Sequence, residues 1–275
     1  MKSHISIIQF PGVNCEYETQ RALEKSGMDA TIVRWNEPPS RLEDFDGFIL
    51  PGGFSYEDRV RAGAIAAADD VVAVVRSQAE IGKPVIGICN GAQVLVEAGL
   101  VPGLESGAID LALAPNKGMG RDGYYANWIF VKVTSAARKS VITYCLEPNE
   151  VLPIPIAHSQ GRFTSSDAGL FDRLDREGQI VLKYCRSDGE TARGFPDDPN
   201  GSSRLAAAIS NPRGNVVAMM PHPERGTWLR QIPDELDCDW SRRKVTGRGR
   251  WRMLEEDGPC ARVFHSMKAY IEAHL

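Results

Sequence analysis

The chain has 275 residues and a formal net charge of −4, and 43% of its residues are hydrophobic. That apolar content excludes a chain that is disordered throughout. No apolar stretch reaches the roughly 18 residues that a membrane-spanning helix needs, and the N-terminal sequence MKSHISIIQFPG lacks the long apolar region of a signal peptide. We therefore expect a cytoplasmic protein with no membrane partner, and the net negative charge gives no support for a nucleic-acid partner.

Six cysteines are present, and their spacing favours neither disulfides nor a metal site. A chain of this length can bury a core without disulfide bonds. No two of the cysteines have the Cys-x-x-Cys spacing that is typical of zinc sites. We expect free thiols in a reducing compartment and no bound metal. The six are Cys15, Cys89, Cys145, Cys185, Cys238 and Cys260.

The first hundred residues alternate between short apolar runs and helical segments, with glycine or proline between them. Strands are predicted at 4–10, 30–35, 46–50 and 84–88, and helices at 16–26, 62–81 and 93–98. This alternation indicates an α/β fold with a mainly parallel sheet flanked by helices. Sites in such sheets lie beyond the carboxyl ends of the strands. Two loops follow predicted strands in this way, Pro51-Gly52-Gly53 and Cys89-Asn90-Gly91.

The rest of the chain predicts further strands, a long loop and a distinct C-terminal part. Strands are expected at 128–133, 151–157, 179–184, 205–209 and 215–219, and a polar loop at 188–203. Residues 242–252 include six basic side chains and no acidic one, and 259–275 have the spacing of an amphipathic helix. We predict one domain over 1–228, and an extension over 229–275 whose basic segment and final helix pack on that domain.

The segment Gly87-Ile88-Cys89-Asn90-Gly91 has the pattern of a nucleophile elbow, with sulfur in place of the serine oxygen. A strand enters this tight turn and a helix leaves it, so the thiol of Cys89 would be exposed above the sheet. The positive end of the following helix favours a thiolate, and the N–H of Asn90 can face a developing oxyanion. The alternative interpretation is a buried structural cysteine at the end of a strand.

A thiol nucleophile needs a base, and His222 is the best candidate because it lies in the sequence Met-Pro-His-Pro-Glu-Arg. If this segment is extended, residues 222 and 224 point to the same side. Glu224 could then orient one imidazole nitrogen and leave the other for Cys89. A structural histidine is the alternative. Two glycines, Gly52 and Gly53, allow a backbone N–H to approach a ligand closely, although they are equally compatible with a plain turn.

Together these motifs resemble the class I (triad) glutamine amidotransferases, in the order that this family shows. Longer blocks resemble, more narrowly, the glutaminase subunits of phosphoribosylformylglycinamidine synthase, an enzyme of purine biosynthesis. The resemblance runs from about residue 4 to 228. The blocks are PGVNCEYET (11–19), PGGFSYEDRVRAG (51–63), GKPVIGICNGAQVLVEAGL (82–100), PIAHSQGRF (155–163), DDPNGS (197–202) and MMPHPERG (219–226).

The resemblance implies a flavodoxin-like architecture and a role for each matching residue. Cys89 would be the nucleophile, His222 the base and Glu224 its orienting carboxylate. The backbone N–H groups of Gly53 and Asn90 would form the oxyanion hole. The loop at 158–162 reads His-Ser-Gln-Gly-Arg where relatives usually have His-Gly-Glu-Gly-Arg, so a backbone contribution to glutamine binding is expected from it. Residues implied in substrate binding are Gly52, Gln93, His158, Ser159, Gly161 and Arg162.

The function implied is hydrolysis of glutamine to glutamate and ammonia, with the ammonia passed to a synthase subunit that makes formylglycinamidine ribonucleotide. A small third subunit is also implied. The glutaminase reaction needs no metal or organic cofactor, so none is expected in this chain. The chain also has no Gly-rich phosphate-binding motif with lysine, so ATP and Mg²⁺ are expected on the synthase. Two alternatives remain, an idle regulatory subunit and an amidotransferase subunit of another pathway.

Two further interpretations concern residues to which the resemblance assigns no role. Cys15 lies in a matched block but has no base beside it in the sequence, so it is interpreted as a structural thiol. The basic segment at 242–252 is interpreted as a surface that meets an acidic patch on the synthase, and nucleic-acid binding is the weaker alternative.

Overall fold

The structure is a computed structural model that describes residues 2–105, 107–118, 120, 123–134 and 140–275. Its strands are β1 His4–Gln9, β2 Asp29–Arg34, β3 Gly47–Leu50, β4 Val85–Ile88, β5 Ala112–Ala114, β6 Tyr125–Val133, β7 Val151–His158, β8 Arg162–Thr164, β9 Ile180–Cys185, β10 Ala206–Ser210 and β11 Val216–Met219. Its α-helices are α1 Glu16–Lys25, α2 Ala64–Ala67, α3 Asp70–Glu80, α4 Asn90–Glu97, α5 Leu170–Arg176, α6 Asp239–Thr246, α7 Trp251–Leu254 and α8 Ala261–His274.

The main sheet has a parallel half and an antiparallel half. In the described part of the chain its strand order is β2-β1-β3-β4-β11-β10-β9-β6-β7, and β5 pairs with β8 separately. The strands from β2 to β11 are parallel to one another. From β11 to β7 each neighbouring pair is antiparallel. The predicted α/β class is confirmed, and the parallel half is the part that carries the candidate residues.

The centre of the parallel half is covered on both faces. Every residue of β3 and β4 is buried, as expected for parallel strands with helices above and below. Helix α4 packs on β3, β4 and β11, whereas α1 packs on β1 and β2 and also contacts α8. Helix α8 turns an apolar face inward that includes Val263, Phe264, Met267 and Ile271. The C-terminal helix is therefore part of the same hydrophobic core.

The strand order explains how distant segments reach one site. Strands β1, β3, β4 and β11 are neighbours and parallel, so the loops after them lie at one edge of the sheet. Strand β7 is at the far end of the strand order, but the backbone N–H of His222 donates to Pro155 O at 2.8 Å. The antiparallel half therefore curves back over the loop that follows β11, as strongly twisted sheets can do.

The predicted single helix over 62–81 is wrong, because the structure has two helices, α2 and α3, in that range. Asp69 interrupts them with an extended backbone, at φ −71° and ψ 146°. Its carboxylate accepts a hydrogen bond of 2.7 Å from the hydroxyl of Tyr56. A contact with a distant loop thus overrides the helical preference of an alanine- and valine-rich segment. The short elements β5, β8, α5, α6 and α7 were also not predicted.

The extension after residue 228 is anchored in the core at its start, where Leu229 and Ile232 are fully buried. Its basic segment is largely neutralised by nearby carboxylates. Arg242 pairs with Asp237 and Asp239, Arg243 with Glu256, and both Lys244 and Arg248 with Asp234. Four of the six basic side chains are thus engaged locally, which weakens their interpretation as a surface for an acidic partner. The division at residue 228 stays a prediction.

Among the described residues, the helices are all too short or too polar to span a bilayer.

Substitution of Gly91 by alanine is expected to destabilise the fold by about 3 kcal/mol or more, at the upper end of the cost of overpacking. A Cβ at this position would lie 1.8 Å from the backbone oxygen of Leu50, which cannot move without shifting β3. Urea unfolding monitored by circular dichroism measures the effect. Gly169→Ala is the matched control, since its Cβ would meet only Asp167 Oδ1 at 3.4 Å. Equal stability of the two variants would contradict this account.

Candidate active site

Cys89 lies on a sharp turn between β4 and α4, as the elbow pattern predicts. Its backbone has φ +51° and ψ −105°, a conformation that is costly for a residue other than glycine. Helix α4 starts at the next residue and packs closely on β3 at Gly91. The thiol is nearly buried rather than exposed as expected, and Sγ lies 3.6 Å from Ala157 O at the end of β7. The N-terminus of α4 points its positive end at this sulfur.

His222 and Glu224 form a buried pair beside this turn. His222 Nδ1 lies 2.6 Å from Glu224 Oε1, and both side chains are almost fully buried. The segment does not meet the condition of an extended backbone, because Pro223–Arg225 form a single 3₁₀ turn. Proline fixes φ at a value suited to the first position of a helical turn. The imidazole and the carboxylate nevertheless meet across the two-residue separation.

The charges around His222 favour its protonated form. Burial alone would lower the pKa of this imidazole, but the negative charges of Glu224 and Cys89 outweigh burial and raise the pKa well above 6.5. Because an ionised carboxylate only accepts hydrogen bonds, Nδ1 must carry the proton that it shares with Glu224. The other nitrogen, Nε2, is buried and has no hydrogen-bond partner in the described part of the chain. It is therefore available for proton exchange.

Of the two predicted oxyanion donors, Asn90 lies at this turn, whereas Gly53 follows β3 and lines the same pocket. Asn90 is the first residue of α4, and the first N–H groups of a helix have no partner within it. Gly53 lines the pocket with φ +149°. Gly53 forms an isolated antiparallel β-bridge with Val13. The hydrogen bonds of this bridge are donated by the N–H groups of the next residues, Phe54 and Asn14, so the N–H of Gly53 is not used in it. The two N–H groups could therefore both face an oxygen near Cys89.

The absence of a side chain at Gly52 is required by the position of the imidazole. A Cβ here would lie 2.7 Å from Cε1 of His222 and 3.2 Å from Sγ of Cys15. The role of Gly52 in the structure is thus to make room for these two side chains. Its carbonyl oxygen also accepts hydrogen bonds from the N–H groups of Asn14 and Cys15.

A pocket opens at Cys89, and it contains most of the residues predicted to be in the site. Glu224 and Asn90 support the pocket without lining it. The side chains of Phe54 and Tyr124, whose ring centroids are 6.4 Å apart, stand at its exposed rim. The lining residues are Asn14, Cys15, Gly53, Phe54, Asp58, Cys89, Gln93, Tyr124, Ala157, His158, Ser159, Gln160, His222 and Arg225.

Gln93 joins the elbow to the loop at 158–162. Its Nε2 donates to Gln160 O at 2.7 Å, and its Oε1 accepts from Asn90 Nδ2 at 2.9 Å. The amide of Gln93 is therefore engaged with protein groups on both sides. Ser159 lines the pocket as expected, whereas Gly161 and Arg162 lie behind its wall. The N–H of Gly161 donates to Asn116 Oδ1 at 3.0 Å, and Arg162 Nε donates to Pro115 O at 3.0 Å.

His158 is a second buried histidine in the pocket, and its electrostatic environment is opposite to that of His222. Burial, together with the charge of His222, lowers the pKa of His158 to about 3. No carboxylate of the described residues is hydrogen-bonded to its ring, and Nδ1 lies 3.2 Å from the amide oxygen of Asn116. At neutral pH this imidazole is uncharged. It can offer a hydrogen bond but not a proton to be exchanged.

Several pocket residues were missed or misread in the sequence. Cys15, interpreted as a remote structural thiol, lies beside the candidate base, and Arg225 Nη2 is 3.1 Å from its sulfur. The potential metal-ligand atoms of Cys15, His222 and Glu224 lie within 4.8 Å of one another. They are already engaged, however, because Cys15 contacts Arg225 and His222 Nδ1 is bonded to Glu224 Oε1. The signals in the sequence were that Cys15 lies in a matched block and in the loop after the first predicted strand.

Comparison with known proteins identifies the family of this chain. A family model described as a CobB/CobQ-like glutamine amidotransferase domain matches residues 2–271. A phosphoribosylformylglycinamidine synthase subunit PurQ from Methanothrix thermoacetophila is 44% identical over 273 residues, with 98% of each chain covered. That alignment therefore extends through most of the C-terminal extension. PurQ from Pyrococcus horikoshii is 38% identical over 222 residues, which are 81% of this chain and 88% of that protein.

Solved structures give the same assignment. The PurLQS structure from Thermotoga maritima matches with a TM-score of 0.70 and 30% identity, over 98% of this chain and 99% of that chain. A glutamine amidotransferase from the same organism matches over 99% of each chain with a TM-score of 0.52, and at 15% identity it supports the fold alone. The chain therefore belongs to the glutamine amidotransferases, and within them to the PurQ subunits of phosphoribosylformylglycinamidine synthase.

Proposed function

We propose that this chain hydrolyses glutamine to glutamate and ammonia, and supplies the ammonia to the synthase subunit that makes formylglycinamidine ribonucleotide in purine biosynthesis. The observation that supports this most directly is the strained turn at Cys89 beside the buried His222–Glu224 pair, in a chain of the PurQ family. A thiol, a proton-exchanging imidazole and an orienting carboxylate are what acyl transfer from an amide requires.

In the first half of the reaction the thiolate of Cys89 attacks the side-chain amide carbon of glutamine. Negative charge develops on the amide oxygen, which the N–H groups of Gly53 and Asn90 would stabilise. One such donor typically contributes about 3 kcal/mol to the transition state. Protonated His222 then donates its Nε2 proton to the leaving nitrogen, the C–N bond breaks, and ammonia departs. The product on the enzyme is a γ-glutamyl thioester.

In the second half a water molecule attacks the thioester carbon, and Nε2 of His222 accepts the proton. The C–S bond breaks, glutamate is released, and the thiolate of Cys89 is restored beside protonated His222. Glu224 acts throughout by holding Nδ1, so that Nε2 faces the reacting atoms and the imidazolium is stabilised. Each step uses only water and groups of this chain, so we propose that the glutaminase half needs no cofactor.

Cys89 is preferred to Cys15 as the nucleophile because of what surrounds each sulfur. Sγ of Cys15 already contacts Asn14 Oδ1 at 3.2 Å and Arg225 Nη2 at 3.1 Å. Cys89 lies on the strained turn, with a helix N-terminus and the Asn90 N–H beside it. When Cys89 bonds to the amide carbon, the oxygen on that carbon would thus meet donors directly.

The expected partners follow from the names of the relatives. The curated relatives are called synthase subunits, and the Thermotoga maritima structure is called PurLQS. We propose that this chain likewise works with a synthase subunit that holds ATP and Mg²⁺, and with a small third subunit. Since a chain of this length needs no disulfide bonds, we also propose a cytoplasmic location for this complex.

Incubation with an electrophilic glutamine analogue is expected to add one label, which maps to Cys89. The measurement is intact mass followed by peptide mapping, and Cys89→Ser should remain unlabelled because an alcohol lacks the thiolate's reactivity. Cys145→Ser, which changes a thiol outside the pocket, is the control and should label normally. A label on Cys15 instead would contradict the assignment of Cys89 as the nucleophile and would indicate that Cys15 has this role.

When the Cys89→Ala variant is combined with the synthase partner, we expect synthesis from glutamine to be lost and synthesis from added ammonium to remain. Glutamine-dependent synthesis should fall to background, while synthesis from added ammonium should stay within about 2-fold of the wild-type rate, because only the ammonia supply depends on the thiol. The measurement is formation of the amidine product with each nitrogen source. Retention of glutamine-dependent synthesis would refute the proposed role of Cys89.

Glu224→Gln is expected to reduce kcat about 100-fold at pH 7, within the usual range for general acid–base catalysis. The carboxylate raises the pKa of His222, so its removal lowers that pKa and weakens the imidazolium that stabilises the thiolate. The pH at which Cys89 becomes reactive should therefore rise. Rates of iodoacetamide alkylation against pH measure this shift. Glu177→Gln, at an exposed position, should leave the profile unchanged, and an unshifted Glu224→Gln profile would argue against the pair.

A further inference from the structure

We infer that Asp58 binds the α-ammonium group of the substrate and so restricts the site to amides of α-amino acids. This inference rests on the proposed glutamine hydrolysis and adds the basis of substrate selection. Among the described residues that line the pocket, Asp58 is the one with a carboxylate. Glutamine has one cationic group, three carbon atoms away from the amide carbon that Cys89 would attack.

The carboxylate of Asp58 has no cationic partner among the described residues. Its contact is a hydrogen bond of 3.2 Å, in which Asn90 Nδ2 donates to Oδ1. The basic residues that follow it in sequence are engaged elsewhere, since Arg59 pairs with Glu57 and Arg61 pairs with Glu97. The guanidinium in the pocket belongs to Arg225, which lies against the sulfur of Cys15. A ligand can therefore supply the missing positive charge.

Partial burial makes an unpaired carboxylate unfavourable in the empty pocket. Burial raises the pKa of Asp58, and the hydrogen bond from Asn90 only partly opposes this. A half-buried charge without a counterion is costly, and a cation within hydrogen-bond distance recovers that cost. An ammonium group has three donors and fits a carboxylate of this kind. The same carboxylate would reject an amide that carries no cation at this position.

Asp58 is held next to the nucleophile by one side chain. Asn90, whose backbone follows Cys89 directly, uses Nδ2 to contact both Asp58 and Gln93 and uses Oδ1 to accept from Ser55 N at 2.9 Å. The carboxylate is thus tied to the residue that carries one of the proposed oxyanion donors. A substrate whose ammonium group binds Asp58 would then present its amide to Cys89, which lines the same pocket.

The loop backbone turns Asp58 inward at an energetic cost. Tyr56, Glu57, Asp58 and Val60 all have positive φ, between 52° and 71°. Glu57 and Val60 are exposed to solvent, whereas Asp58 is half-buried and lines the pocket. Left-handed backbone at several residues without glycine is typical of functional sites rather than of simple connections.

Asp58→Asn tests the inference with two substrates, glutamine and 5-amino-5-oxopentanoate, which lacks the α-ammonium group. Asparagine keeps an oxygen to accept from Asn90 and tolerates left-handed backbone. We expect kcat/KM for glutamine to fall about 100-fold, mainly through KM, as for loss of a partly buried charge pair. For the analogue kcat/KM should change less than about 3-fold, so the wild-type preference for glutamine disappears.

Glu57→Gln is the matched control, because it removes a carboxylate from the adjacent, equally left-handed residue outside the pocket. It should leave both substrates unaffected. Calorimetry on Cys89→Ala and on Cys89→Ala/Asp58→Asn gives a readout without turnover, and the second change should weaken binding of glutamine but not of the analogue. Thermal unfolding of each variant confirms that it is folded.

An equal loss for both substrates would overturn the inference, since Asp58 would then only support the loop. Wild-type protein that processes the analogue as well as glutamine would overturn it too. Neither result affects the proposed function, which fails instead if wild-type protein with its synthase neither hydrolyses glutamine nor labels at Cys89.

Discussion

The close approach of helix α4 to strand β3 is the constraint on which the site depends. At Gly91 the helix backbone lies directly against Leu50 O, so no side chain fits between them. That contact places Cys89 above the carboxyl edge of the parallel strands and presents the N–H of Asn90 there. It also brings the side chain of Asn90 to the loop after β3, where it bonds Ser55 N and Asp58. One backbone contact thus fixes the positions of the nucleophile, the oxyanion donor and the loop after β3.

Two histidines in one pocket show how neighbours rather than burial decide the chemistry. His222 and His158 are both fully buried, and burial alone lowers the pKa of each. Glu224 reverses the direction for His222, because its charge lies 2.6 Å from Nδ1. His158 Nδ1 lies beside the neutral amide of Asn116, and burial together with the charge of His222 lowers the pKa of this imidazole, so it stays uncharged. The fold therefore separates one proton-exchanging imidazole from one that can only position other groups.

Sequence patterns predicted the parallel strands, the turn at Cys89 and the pairing of His222 with Glu224, because each depends on neighbours within a few residues. They could not predict the break at Asp69, which depends on the hydroxyl of Tyr56. They also missed Cys15, whose partner Arg225 is 210 residues away in sequence. The basic segment looked like a charged surface until its carboxylate partners at 234–239 and 256 were placed. Such tertiary contacts carry no local signal.

The two prolines of β7 have a consequence for association between chains. An edge strand normally offers unpaired backbone groups to which another strand can add, leading to aggregation. Pro153 and Pro155 remove two of the N–H groups on the outward side of β7. The carbonyl oxygens on that side are occupied as well, by Cys260 Sγ at Pro153, by His222 N at Pro155 and by Cys89 Sγ at Ala157. The contacts that hold the site together thereby also cap the sheet against unwanted strand addition.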